Sequence, residues 1–249
     1  MSFHKRPYAV GRYSFAVRMK VNPIMDIQLQ LNKLCDQEAY LELKSRSKVP
    51  VVDNWPNQGK LPDEALTTGE NLGLILGVTS GILDIDLDCK EAKALADIIL
   101  PEPHATFDRG SSDSGHYLYR ASSFGPRKAF NADGTKSTLV ELRGDGCQTM
   151  IPPSMHPNGS FLNFTAFNGE EAKVKYDALL RSVSMLAACS EIAQNWREGH
   201  RHDLALAFAG ICLKQDVEHN LVTQIVQRIC DINGDLDVDD RLNAIRTSY

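Results

Sequence analysis

Gly81-Ile82-Leu83-Asp84-Ile85-Asp86-Leu87-Asp88 alternates aliphatic and acidic residues just after the apolar run of residues 71–78, NLGLILGV. At the side-chain period of a strand, Asp84, Asp86 and Asp88 fall on one face and Leu83, Ile85 and Leu87 on the other. Carboxylates crowded on one face repel each other unless a cation lies between them. An all-oxygen donor set suits a hard divalent ion, Mg²⁺ or Mn²⁺. The same pattern also fits the solvated polar face of an edge strand, and this stretch alone leaves both readings open.

Upstream, residues 71–78 read as a strand and Thr79-Ser80-Gly81 as a tight turn, which predicts a hairpin with the acidic strand. Ile27 to Leu43, with Leu31, Leu34, Leu41 and Leu43, reads as a helix. Pro62 is placed to open a short helix after a Pro/Gly-rich loop. Downstream, Lys90–Leu100 carries a helical stripe of Ala92, Leu95, Ala96 and Ile99, stopped by Pro101. Residues 106–109, 116–120, 138–143 and 147–151 read as strands, and 124–138 as a loop. From about Glu170 the pattern turns helical, with Asp216 and Asp237 as candidate caps of the last two helices. The expected organisation is a basic arm over 1–25, an α+β body over 26–185 and a helical unit over 186–249. The helical pattern runs to Tyr249 without a C-cap, so a longer chain is expected, and translation could start at Met1 or Met25.

Bulk composition narrows the class without deciding it. The chain has 249 residues, 43% hydrophobic and 24% charged, as globular proteins do. No apolar run approaches the roughly 18 residues a membrane span needs, and there is no signal peptide. Six scattered cysteines without a CxxC pair argue against a zinc ribbon or disulfide framework and predict a cytoplasmic protein with reduced thiols. The net charge of −5 conceals a local excess, since residues 1–48 hold nine Lys/Arg against four acids. That distribution leaves a nucleic-acid partner open.

Three further features surround the acidic strand. Ser114-Gly115-His116 opens a strand, where a glycine lets a phosphate approach the backbone and a hydroxyl and imidazole can both bind it. A plain hairpin turn would also explain it. Glu141 stands alone among apolar neighbours on the 138–143 strand, on the same face as Arg143. It reads either as half of an ion pair with Arg143 or as a second carboxylate source for a metal. Residues 151–159, IPPSMHPNG, make a stiff polar loop that carries His156, or a rigid surface turn.

The order of these parts, from Lys48 through LDIDLDCKEAKAL, FDRGSSDSGHYLYR and VELRGDG to IPPSMHPNG, resembles a known family. It is similar to the primase–polymerases of the archaeo-eukaryotic primase superfamily, the bifunctional DNA primase/polymerase N-terminal domain of plasmid, phage and mobile-element replication proteins. The resemblance implies an RRM-like antiparallel sheet with flanking helices, followed by a small helical domain. It also implies two-metal nucleotidyl transfer from dNTPs or NTPs, directed by a single-stranded DNA template and primer, with a helicase module further along a longer chain. By position, Asp86 and Asp88 take the paired acids and Glu141 the third, all three as Mg²⁺ or Mn²⁺ ligands. Ser114 and His116 take the triphosphate contact, with Arg109, Arg143 and His156 as further nucleotide ligands. Asp84 departs from the family, which has an aliphatic residue there, so Asp84 and Asp86 remain an alternative metal pair.

Two rivals fit parts of the pattern. A DxD nucleotide-sugar transferase explains the acidic strand but not the Ser-x-His and Glu-x-Arg segments. A non-catalytic DNA-binding module for replication initiation explains the charge distribution but gives the acids no role. His200-Arg201-His202 is an HxH sequence of the kind found in rolling-circle nickases, but it opens a helix and carries Arg in the middle, so capping and packing is the expected role.

Overall fold

The structure is a computed structural model that describes residues 27–66, 71–110, 113–133, 135–168 and 172–248. The basic arm expected over 1–25 lies outside the described residues. The expected helix over 27–43 is instead α1 (Ile27–Leu34) followed by strand β1 (Tyr40–Leu43). Leu41 and Leu43 obey a period of two as well as of three or four, and pairing with a neighbouring strand decides the matter. The Tyr40 hydroxyl lies 2.7 Å from the Leu31 carbonyl, which also accepts from Cys35 N, and 2.9 Å from that of Cys35, tying β1 to the end of α1. After α2 (Pro62–Leu66) come β2 (Asn71–Ile75) and β3 (Ile82–Leu87), the acidic strand.

The expected β2–β3 hairpin does not form. Only Gly77 and Ile82 bridge, and beyond them the two strands part into different sheets. Gly77 sits at φ 81°, and a Cβ there would lie 2.1 Å from Asp145 Oδ1, the atom that accepts from Val78 N at 3.0 Å. Only glycine permits both that backbone and that approach, so the turn serves as the junction between sheets.

α3 (Lys90–Ile99) then crosses to β4 (Ala105–Asp108), which pairs with β5 (Gly115–Arg120). β6 (Lys128–Asn131), β7 (Thr138–Arg143), β8 (Gln148–Ile151) and β9 (Asn163–Phe167) follow, and then α4 (Tyr176–Gln194), α5 (Arg201–Lys214), α6 (His219–Asn233) and α7 (Val238–Ser248). Residues 128–131, expected within a loop, form an edge strand whose exposed side chains hide its alternation. The N-cap of α6 is Glu218 rather than Asp216, which instead takes φ 54° in the preceding turn.

The larger sheet has the order β6-β7-β3-β5-β4-β9, the smaller β1-β2-β8, and every pairing is antiparallel. β3 is therefore an inner strand buried along its whole length, not the solvated edge that one reading allowed. Leu83, Ile85 and Leu87 enter a core with Leu95 of α3, Val183 of α4 and Ile225 of α6. Each is wholly buried, and truncating one to Ala would cost about 2–5 kcal/mol. The opposite face meets the smaller sheet, where Ile82, Phe107 and Leu118 pack with Leu72, Leu74 and Ile151. The boundary expected at 185/186 falls inside α4, and the first core continues through it to Ile245 of α7.

Candidate active site: an acid row and a polar pocket

Cross-strand register builds the site. Partners across adjacent antiparallel strands share a face, so Glu141 of β7, Asp86 of β3, His116 of β5 and Phe107 of β4 form one continuous row. The row beside it, two residues along each strand, holds Arg143, Asp84, Leu118 and Ala105. Asp88 follows the end of β3, with its backbone N–H donating to the Leu139 carbonyl at 3.0 Å. Glu141 therefore lies on the same side of the sheet as Asp86.

Arg143 ties the two rows together. Its guanidinium bonds Asp86 and reaches Glu141 Oε2 at 2.7 Å and Asp84 Oδ2 at 3.8 Å. Glu141 also bonds Arg127, a largely exposed side chain before β6. Burial pushes the Glu141 carboxyl up, but Arg127 and Arg143 outweigh it and hold it below the usual range. Asp84 is wholly buried, which alone would raise its carboxyl; His116 and then Arg143 outweigh that and lower it. Asp88 is different. Burial and the neighbouring Asp86 push its carboxyl up to about 6, and it has no hydrogen-bond or ion-pair partner for its side chain among the described residues.

His116 is held on three sides. Its ring stacks on Phe107 at a centroid distance of 4.4 Å and an interplanar angle of 7°. Nδ1 lies 3.1 Å and 3.2 Å from the two Asp84 oxygens, and Nε2 lies 3.5 Å from Asp86 Oδ1. Burial would lower the imidazole, but Asp84 and Asp86 outweigh it and raise it.

These side chains border a pocket that gathers residues from distant stretches. Asp86, Asp88, Ser114, His116, Arg109 and Arg143 line one part of it, and His156 and Lys48 another. Arg109 Nη2 donates to Ser114 Oγ at 2.6 Å, and Lys93 Nζ anchors the same loop through Asp108 Oδ2 at 2.9 Å and the Ser114 carbonyl at 3.0 Å. The loop carrying His156 begins with a cis Pro152–Pro153 peptide and is fixed by Ser154 Oγ, which accepts from Leu72 N at 2.7 Å. Burial, and then Arg109 and Lys48, lower the His156 imidazole despite an opposing bond with Asn158. A Cβ on Gly115 would meet protein atoms no closer than 3.7 Å, so packing does not demand glycine there.

Every residue singled out in the sequence lies in or against this pocket, with Asp84 and Glu141 set behind its wall. Lys48, Lys93 and Arg127 were missed. Each sits outside the patterned strands, and only the fold brings it near the acids. His200 and His202 stand apart: His202 Nδ1 pairs with Asp240 Oδ2 at 2.9 Å on the helical side, and His200 occupies the N-cap of α5 without a side-chain capping bond.

Among the described residues, no three His, Cys, Asp or Glu side chains already converge as a metal cage. Arg143, not a preassembled ligand set, bridges Asp86 and Glu141. The donor chemistry nonetheless suits a hard cation, because Asp86 and Asp88 open into the pocket and the Asp88 carboxyl is raised by burial and by the neighbouring Asp86 charge.

In this antiparallel α+β protein, Asp86 of an inner strand and Asp88 just past its end share a pocket with a histidine and several basic side chains. A family model for the bifunctional DNA primase/polymerase N-terminal domain, Prim-Pol, matches residues 16–169, and the chain belongs to that family. No curated protein matches the chain significantly. The match covers every residue of the pocket and ends before α4.

Proposed function

We propose that this chain is a template-directed DNA primase/polymerase that joins dNTPs or NTPs to a 3′-hydroxyl in the replication of a plasmid, phage or other mobile element. The observation that carries the reading is the single row of Glu141, Asp86 and His116 beside Asp88, opening on a pocket walled by Ser114, Arg109 and Lys48. The antiparallel centre of the larger sheet, with α3 linking β3 to β4, supports the reading of an RRM-like catalytic core.

Asp86 and Asp88, with Glu141, would hold Mg²⁺ or Mn²⁺, which supplies Lewis-acid stabilisation of the attacking and leaving oxygens. The chain's own groups do the rest. Asp86 and Asp88 place their negative charge where it balances that of the cations. His116 and Ser114 contact the triphosphate, and Arg109, bonded to Ser114, and Lys48 neutralise it, since such transfer depends chiefly on positioning and charge. Glycine at 115 leaves the backbone open to a phosphate. For Asp86 and Glu141 to hold a cation, Arg143 would have to loosen its hold on both, with Asp84 remaining as its partner. The helical tail from about Glu191 would hold template or initiating nucleotide, or lead to a helicase module in a longer chain.

Single-stranded DNA and primer with dNTPs and Mn²⁺ should yield extended product. Asp86→Ala combined with Asp88→Ala should cut incorporation by at least about 10³-fold while leaving the melting temperature within about 3 °C. Undiminished extension by the double variant would refute the assignment. The Arg143 bridge favours one second reading, a non-catalytic DNA-binding module for replication initiation. Salt-sensitive DNA binding without incorporation under either metal would select it.

A further inference from the structure

Asp84 is the one acid of the strand that the family pattern does not explain, and its surroundings differ from those of its neighbours. It is 0% exposed, whereas Asp86 and Asp88 line the pocket. Both of its oxygens face His116 Nδ1, at 3.1 Å and 3.2 Å, and one faces Arg143 Nη1 at 3.8 Å. A metal ligand must turn a lone pair toward the cation; these lone pairs are turned toward an imidazole and a guanidinium. Phe107, stacked at 4.4 Å, fixes the plane of the same imidazole. A carboxylate can only accept, so the nitrogen it faces must carry a proton, and this sets which edge of the ring looks outward.

We propose that Asp84 is a positioning residue for nucleotide binding: it holds His116 by Nδ1–H, so that the Nε2 edge faces the pocket, and is not a metal ligand. This rests on the pocket being a nucleotidyl-transfer centre. Phe107 prevents the ring from tilting and Asp84 prevents it from flipping, so the triphosphate meets an imidazole already in place. Without Asp84 that ordering would have to occur on binding, which weakens nucleotide affinity.

Three readouts test the proposal on the full chain: the dNTP KM and kcat in primer extension, the affinity for Mn²⁺ alone, and the His116 Nδ1–H signal in ¹⁵N-edited NMR. The variants are Asp84→Val, Asp84→Asn, His116→Ala and the doubles with His116→Ala. Wild type should show an exchange-protected Nδ1–H. Asp84→Val should lose it and raise the dNTP KM about tenfold, with kcat within about threefold and Mn²⁺ affinity within about twofold of wild type; on top of His116→Ala it should change KM less than about twofold. Asp84→Asn retains an acceptor oxygen, so it should keep the Nδ1–H signal and most of the nucleotide affinity, and it carries the test if Asp84→Val does not fold. A tenfold loss of Mn²⁺ affinity in either variant, or additive KM effects in the doubles, would overturn the proposal. If wild type incorporates no dNTP, the nucleotidyl-transfer reading fails by itself. The Asp84–His116 pairing is then decided by the NMR signal: its absence from wild type, or its survival in Asp84→Val, overturns the pairing.

Discussion

Asp86 and Asp235 are both carboxylates beside an arginine, 5% and 4% exposed, yet their surroundings are built differently. Asp235, between α6 and α7, is closed on every side. Its Oδ2 accepts from Trp196 Nε1 and Arg241 Nε, each at 3.0 Å, while Oδ1 accepts from its own turn at Asp237 N and lies 3.2 Å from Arg201 Nη1. Asp86 shares one arginine with Asp84 and Glu141, sits beside an unpartnered Asp88 and opens into a pocket. The first arrangement spends its charge on holding α4, α5 and α7 together. The second leaves acidic charge unbalanced at a surface, which lowers stability and has value only if a cation or anionic ligand completes it. The contrast follows the family match, since the Asp86 cluster lies within residues 16–169 and the Asp235 cluster outside them.

Removing charge should therefore cost much stability at Asp235 and little at Asp86 and Asp88. Asp235→Ala takes from Arg201 its carboxylate and from Trp196 Nε1 its acceptor, while Arg241 keeps Asp237 and Asp240, and should destabilise the protein by about 3 kcal/mol in chemical denaturation. A loss as small as that expected for the Asp86→Ala and Asp88→Ala double variant would erase the distinction. The pH dependence has a defined sign as well. Burial pushes the Asp235 carboxyl up, but the bonds from Arg241 and Trp196 outweigh it, so its pKa in the folded protein lies below the ordinary 3.8. Its stabilisation is complete above that value and is lost as pH falls through the folded value. Melting curves of wild type and Asp235→Asn should accordingly differ near neutrality and converge below about pH 4; a constant separation would contradict the assignment. The smallest effect is expected at Arg127, whose side chain is 55% exposed and whose partner Glu141 keeps Arg143. Arg127→Ala should change stability by less than about 1 kcal/mol. A larger loss would mean that Arg127, not Arg143, holds Glu141 in its row.

Much of this arrangement was legible in the residues. Alternation in 82–87 and the lone acid among apolar residues in 138–143 identified β3 and β7, and a strand's period of two placed Asp86 with Asp84 and Glu141 with Arg143, each pair on one face. Pairing itself was not legible. The chain turns at Gly77 as a hairpin would, yet β2 leaves to join β8, a partner more than seventy residues away. β6 went unseen because an exposed edge strand lacks the apolar alternation that marks a half-buried one. Of the site, the acids, Ser114 and His116 stood out by residue type and order. What Asp84 does could not be read, since its bond to His116 depends on the register between β3 and β5, and Lys48 and Arg127 reach the site from segments without periodicity.

The central claim is that Asp86, Asp88 and Glu141 share a cation beside His116. The most direct measurement is an anomalous-difference map from crystals soaked with Mn²⁺ and a dNTP. A peak within coordination distance of the Asp86 and Asp88 carboxylates, with the triphosphate against His116 and Arg143 withdrawn from Asp86, is the predicted result. Mn²⁺ bound elsewhere, with Arg143 still seated between Asp86 and Glu141, would contradict it.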